Sequence, residues 1–158
     1  MIEIELDRVA INRAIPKVAK GLEKYLWLQA ELRHRNVSAD REFQRRFNGF
    51  YRVRRNSEWQ RTFFRMLERG KTSGPTLEKT LRTLHATTGR IEASFASKLV
   101  ATIDTSQPVI DSVVLAHMHL RLPPAADLSS RVNGIVRLHG GLARAFSRYL
   151  RACKEITI

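Results

Sequence analysis

Between Arg33 and Lys71 the chain carries twelve Arg or Lys residues against four Asp or Glu, a net of +8, with seven aromatic residues set among them. Cations at this density suit the neutralisation of a polyanion, because every phosphate they engage releases condensed counterions. Aromatics in the same stretch can stack on unpaired bases or wedge between base steps. The candidate nucleic-acid contacts are Arg41, Arg45, Arg46, Arg52, Arg54, Arg55, Arg61, Arg65 and, further along, Arg90. Acidic lipid and an acidic protein partner compete with nucleic acid for the same charge. The structural alternative is a solvated basic face over an aromatic core. A second basic series, Arg131, Arg137, Arg144, Arg148 and Arg151, follows near the C-terminal end.

Other residue types offer less. His117 and His119 are two apart and fall on different sides of a helix, and His34, His85 and His139 have no partner at ligand spacing, so no metal site is expected. Cys153 is the only cysteine, which excludes an internal disulfide, a four-cysteine zinc site and a cysteine-ligated cluster. Ser94 and Ser97 have no base at a telling spacing. Gly134, Gly140 and Gly141 do not form a nucleotide-binding loop, and no cofactor is expected.

These residues need a scaffold, and the composition supplies one. A chain of 158 residues with 43% apolar and 27% charged residues and no low-complexity tract fits one globular domain. The start, Met1-Ile-Glu-Ile-Glu-Leu-Asp7, lacks the basic and apolar regions of a signal peptide, and no apolar run approaches a membrane span. The expected location is cytoplasmic, associated with the nucleoid if the ligand is bacterial DNA, with no membrane partner.

Apolar spacing gives the elements. Ile2, Ile4 and Leu6 alternate with acids, predicting a short extended arm. From Pro16, Val18, Leu22, Tyr25, Leu26 and Leu32 keep helical spacing. Ser38 or Asp40 caps a helix in which Phe43, Phe47 and Tyr51 recur every four residues, an aromatic stripe that belongs in a core. Ser57-Glu-Trp-Gln60 reads as a capping box opening a helix with Trp59, Phe63 and Leu67, stopped at Gly70. Thr72-Ser-Gly-Pro75 is a loop. Thr76 caps the next helix, which carries Leu77, Leu81 and Leu84 and ends near Gly89. Glu92 to Ile103 forms another, Asp111 or Ser112 caps a sixth running to about Leu120, and Pro123-Pro124 ends it. Arg131 to Leu138 and Leu142 to Lys154 read as two helices parted by Gly140-Gly141. The expectation is an all-α single compact domain of about seven helices.

The stretch Gly89-Arg-Ile-Glu-Ala-Ser-Phe-Ala-Ser-Lys-Leu-Val-Ala-Thr-Ile-Asp104, followed by Gln107-Pro-Val-Ile-Asp-Ser-Val-Val-Leu115, resembles the catalytic half of helix–hairpin–helix DNA glycosylases. That resemblance implies a hairpin whose backbone N–H groups hold a phosphate, and an Asp that assists base removal; Asp111 falls on that position. Breaking an N-glycosidic bond develops positive charge on the sugar, which a carboxylate can stabilise, and the base must first leave the stack. The same Asp111 is equally placed to be a plain N-cap. Two features depart from the family. Its hairpin has two glycines around one apolar residue, whereas Gly89-Arg-Ile-Glu-Ala-Ser94 has one Gly and an acid. The Schiff-base lysine of its bifunctional members corresponds to Phe95, and Lys98 lies three residues on. The segments Asn48-Gly-Phe-Tyr-Arg-Val-Arg-Arg55 and Arg90 to Lys98 are also similar to a family of uncharacterised bacterial proteins.

The sequence thus leads to a DNA-binding protein with a glycosylase-like fold, DNA being favoured over RNA, with excision of a damaged or unusual base without lyase activity as its candidate chemistry. Asp111, and at one remove Lys98, are the candidate catalytic residues. The alternative is a non-catalytic nucleic-acid-binding adaptor or regulator that also contacts a protein partner.

Overall fold

A computed structural model of the chain describes residues 7–124 and 127–156, with side chains as far as residue 152; the expected arm at Ile2, Ile4 and Leu6 lies outside the described residues. Every regular element among the described residues is a helix: α1 (Arg8–Leu32), α2 (Arg41–Tyr51), α3 (Ser57–Ser73), α4 (Leu77–Thr88), α5 (Ala93–Ile103), α6 (Ser112–His117) and α7 (Leu128–Ile156). Their contacts gather into two compact units, Asp7–Gly74 and the chain from Pro75 onward. The boundary falls between Gly74, which caps α3 with φ +60, and Pro75, which cannot continue a helix.

Asp7–Gly74 is built on aromatic rings. Phe43 and Phe47 from α2 and Phe63 and Phe64 from α3 are fully buried, and Phe47 stands 5.6 and 5.4 Å, ring to ring, from Phe63 and Phe64. Trp27 brings α1 onto Phe43 at 6.2 Å. Two polar ties close the turn after α1: the Glu68 carboxylate accepts from the Val37 N–H at 2.8 Å, and Lys71 Nζ donates to the carbonyls of Leu32 and Arg35. Both leave backbone groups satisfied that a helix end exposes.

From Pro75 onward, α4 packs on α5 and on α7, around Leu81, Leu84, Leu99, Ile110, Ile135 and Leu142. The loop before α6 is pinned at two points. Ser97 Oγ accepts from the Ile110 N–H at 2.9 Å, and His139 Nε2 donates to the Pro108 carbonyl at 2.9 Å. Pro123 lies against Gly134, where a Cβ would come within 2.7 Å of the proline ring, so α7 needs glycine there.

Helix limits differ from the sequence reading in several places: α3 runs past Gly70 through Thr72 to Ser73 and is closed by Gly74, α6 ends at His117 rather than near Leu120, and three further differences have local reasons. α1 starts two turns before Pro16 because the Asp7 side chain accepts from the Val9 and Ala10 N–H groups and caps it there, and the helix carries Pro16 at the loss of one backbone hydrogen bond. The cap of α3 is Asn56, accepting from the Trp59 N–H at 2.9 Å, one residue before Ser57; Gln60 instead donates to the Arg55 carbonyl. α7 runs unbroken through Gly140-Gly141. Two helical glycines cost roughly 1 kcal/mol each relative to alanine, and burial of Ile135, His139, Leu142 and Ala145 on either side offsets that.

Candidate nucleic-acid interface

Of the eight candidate arginines in Asp7–Gly74, seven are exposed: Arg41, Arg45 and Arg46 on α2, Arg52 and Arg54 in the turn after it, Arg61 and Arg65 on α3. Arg69 extends the α3 row, which the candidate set did not include. Arg61, Arg65 and Arg69 recur every four residues, so they form one ridge with a rise of about 6 Å between neighbours. The ridge arises because α3 turns Trp59, Phe63 and Leu67 inward at the same period.

Three cations of the same segment are held by carboxylates. Arg35 is bound by Glu31, Asp40 and Glu42, and this drives its pKa up, with the Glu31 hydrogen bond as the main cause. The Phe43 N–H and then Arg35 keep the Asp40 carboxyl below the usual carboxylate range, and Arg35 does the same for Glu42. Arg46 pairs with Glu42 at 2.8 Å and lies over the Trp27 ring at 4.0 Å. Lys71 pairs with Glu68 at 2.7 Å. Arg55 is half-buried over Trp59, 5.8 Å from the ring centroid. Arg46 is thus exposed but paired, and Arg55 is packed against a ring.

The aromatics divide in the same way. Phe43, Phe47, Phe63 and Phe64 are sealed, whereas Trp27 and Phe50 keep partial exposure and, with Lys24, Arg46 and Gly49, line a notch of about 270 Å³. Trp27 and Phe50, not the buried stripe, present ring surface to solvent.

Arg90 belongs to the other unit, exposed just after Gly89. There Gly89 closes α4 with φ +71 and three residues lead into α5. Glu92, buried, holds the N-cap position of α5 without a side-chain cap bond. A carboxylate at that point opposes a phosphate at the helix start. Asp111 is the N-cap of α6, accepting from the Val114 N–H at 2.8 Å. Lys98 on α5 is buried, and burial lowers its pKa while the nearby Asp111 charge acts in the opposite direction. The structure thus brings the two candidate catalytic residues within electrostatic reach of each other.

The same unit carries a cationic stripe that the candidate set left out. Arg137, Arg144, Arg148 and Arg151 are exposed on α7, and steps of seven, four and three residues keep them on one face. Ala143 and Ser147 complete a shallow groove of about 600 Å³ with Arg144, Arg148 and Arg151. No acidic residue lies between Leu128 and Lys154.

Comparison of the chain with protein-family models, with curated proteins and with solved structures gives no match. The site's own geometry must carry its reading.

Proposed function

We propose that the protein binds nucleic acid through the phosphate backbone, with DNA as the ligand and the exposed arginines of α2, the following turn and α3 as the contact surface. The observation that carries this is the separation of roles in Asp7–Gly74: carboxylates and rings hold Arg35, Arg46 and Arg55, while Arg41, Arg45, Arg52, Arg54, Arg61, Arg65 and Arg69 stand in solvent. Exposed guanidinium groups over a sealed aromatic core contact phosphates, which fix position without reading sequence. The expected binding is therefore strong at low salt and nearly indifferent to base sequence. Replacing Arg41, Arg45, Arg61 and Arg65 by Glu, all outside the core, should lower duplex affinity on the order of 10³-fold by fluorescence anisotropy. Unchanged affinity would reject this surface.

Base excision is a second reading, and one observation favours it: a buried lysine with a lowered pKa beside an aspartate at a helix start. In this reading Asp111 supplies the carboxylate and Lys98 tunes it. Asparagine caps a helix as well as aspartate, so Asp111→Asn removes the charge and keeps the α6 cap. On a panel of damaged-base duplexes, excision should vanish in Asp111→Asn while binding stays. A wild-type protein that excises nothing from a broad panel would leave the non-catalytic binder.

A further inference from the structure

The most anomalous apolar surface runs along α1 from Ile11 to Leu26. Ile15, Val18, Leu22 and Leu26 are 56, 56, 53 and 55% exposed, and with the half-exposed Ile11 they follow steps of four, three, four and four. These steps place them on one stripe of the helix, the pattern of a seam that packs against another helix. Within Asp7–Gly74 no residue covers it. Packing on α2 involves the far end of α1, where Leu28 and Leu32 are buried. Together the five side chains expose on the order of 400 Å² of apolar surface, a size at which a patch on a soluble protein marks an interaction site.

Charge placement on α1 selects the occupant. The residues flanking the stripe are Asn12, Ala14, Ala19, Gly21 and Tyr25 with the acid Glu23, Arg8 stands at its N-terminal end, and the cations Arg13, Lys17, Lys20 and Lys24 lie on the opposite side. An acidic lipid surface would need ammonium groups at the edge of the stripe, where they reach headgroups. A phosphate backbone would take the cationic side and leave the stripe bare. An apolar seam with an acid at its edge and its lysines turned away fits a helix of its own kind rather than an anionic surface, and the same surface on a second copy is self-complementary about a two-fold axis.

We infer that the protein self-associates into a dimer through α1, with Ile11, Ile15, Val18, Leu22 and Leu26 of each copy packed across the axis. The seam buries roughly 800 Å² in total, below the usual range for a stable complex, so the dimer dissociates in the micromolar range. Its salt response is opposite in sign to phosphate binding. Two copies of a chain carrying +13 repel, so raising salt screens that repulsion and favours association, whereas it weakens contact with a nucleic acid.

Sedimentation velocity on nuclease-treated, nucleic-acid-free full chain tests this, from about 2 to about 200 µM at low and high salt. The wild type should move from monomer toward dimer with concentration, at least as readily in high salt. Leu22→Glu should stay monomeric, at least tenfold weaker in association, with unchanged far-UV circular dichroism because the position is solvent-exposed. Lys24→Glu, on the opposite side, should dimerise like the wild type. A wild type that remains monomeric throughout, or Leu22→Glu that dimerises like it, would overturn the proposal. So would flotation with phosphatidylserine-containing vesicles that Leu22→Glu abolishes while the free protein is monomeric, since lipid would then be the occupant.

Discussion

Two arginine-rich regions of this molecule differ in the acids set among their cations. In the segment from Arg33 to Lys71, four carboxylates lie among twelve cations, and together with Glu31 three of the four bind Arg35, Arg46 and Lys71. On α7, the arginine stripe has no acid between Leu128 and Lys154. Formal charge therefore overstates the first region and describes the second well. Outside those pairs the first still exposes the larger number, eight arginines with Arg33 counted, against four. The difference shows that a basic segment becomes a binding surface only after its internal pairs are subtracted.

The largest expected effect separates the two regions directly. Glu substitutions at Arg41, Arg45, Arg61 and Arg65 should cost on the order of 10³-fold in duplex affinity, and Glu substitutions at Arg137, Arg144 and Arg151 roughly tenfold to thirtyfold, since fewer phosphates are lost. Equal losses would break the contrast and make α7 a full partner in the same contact. Anisotropy titrations at one fixed ionic strength decide between these outcomes.

A second contrast is in pH. His139 is held with a lowered pKa, chiefly by burial, so the folded state binds fewer protons than the unfolded one. Stability from Pro75 onward is then full above the unfolded histidine value of about 6.5 and declines as pH falls below it. Asp40 and Glu42 also have lowered pKa values, which keeps the stability of Asp7–Gly74 intact until pH falls into the carboxylate range, about 4 and below. Hydrogen exchange read by mass spectrometry at pH 7.5, 5.5 and 4, conditions spanning roughly these two windows, should show the loss in that order. Simultaneous loss in both units at pH 5.5 would remove the distinction.

Much of this was legible in sequence, and the exceptions have local causes. The all-helical class and the caps Asp40, Thr76 and Asp111 follow from spacing and side-chain type, and the structure carries them. So does the inward course of Phe43, Phe47 and Phe63. The second basic series was legible, but not that it forms one stripe, because Gly140-Gly141 read as a break, which assigned Arg137 and Arg144 to different helices. Propensity there yields to the burial of His139 and Leu142. The capture of Arg46 by Glu42 and Trp27 has a visible half, the spacing of four to Glu42, and an invisible half, the approach of α1. The exposure of the α1 stripe was equally hidden. Helical periodicity reports which residues share a face and is silent on whether anything covers it.

The smallest effect concerns Arg52, which closes α2 at φ 53 and ψ 45, a left-handed conformation that glycine adopts without strain. Arg52→Gly should raise stability by about 0.5–1 kcal/mol in urea denaturation and lower duplex affinity about threefold through the loss of one phosphate contact. A gain in stability with unchanged affinity would remove Arg52 from the contact surface while leaving its neighbours in place.

The central claim is that exposed arginines of Asp7–Gly74 hold a phosphate backbone, and the salt dependence of duplex binding tests it most directly. With six phosphates neutralised, affinity should fall on the order of 10³-fold between about 50 and about 200 mM salt, and changing Arg41, Arg45, Arg61 and Arg65 to Ala should lower the log–log slope by about 3.6. A flat salt response, or a slope the four substitutions leave unchanged, would contradict it.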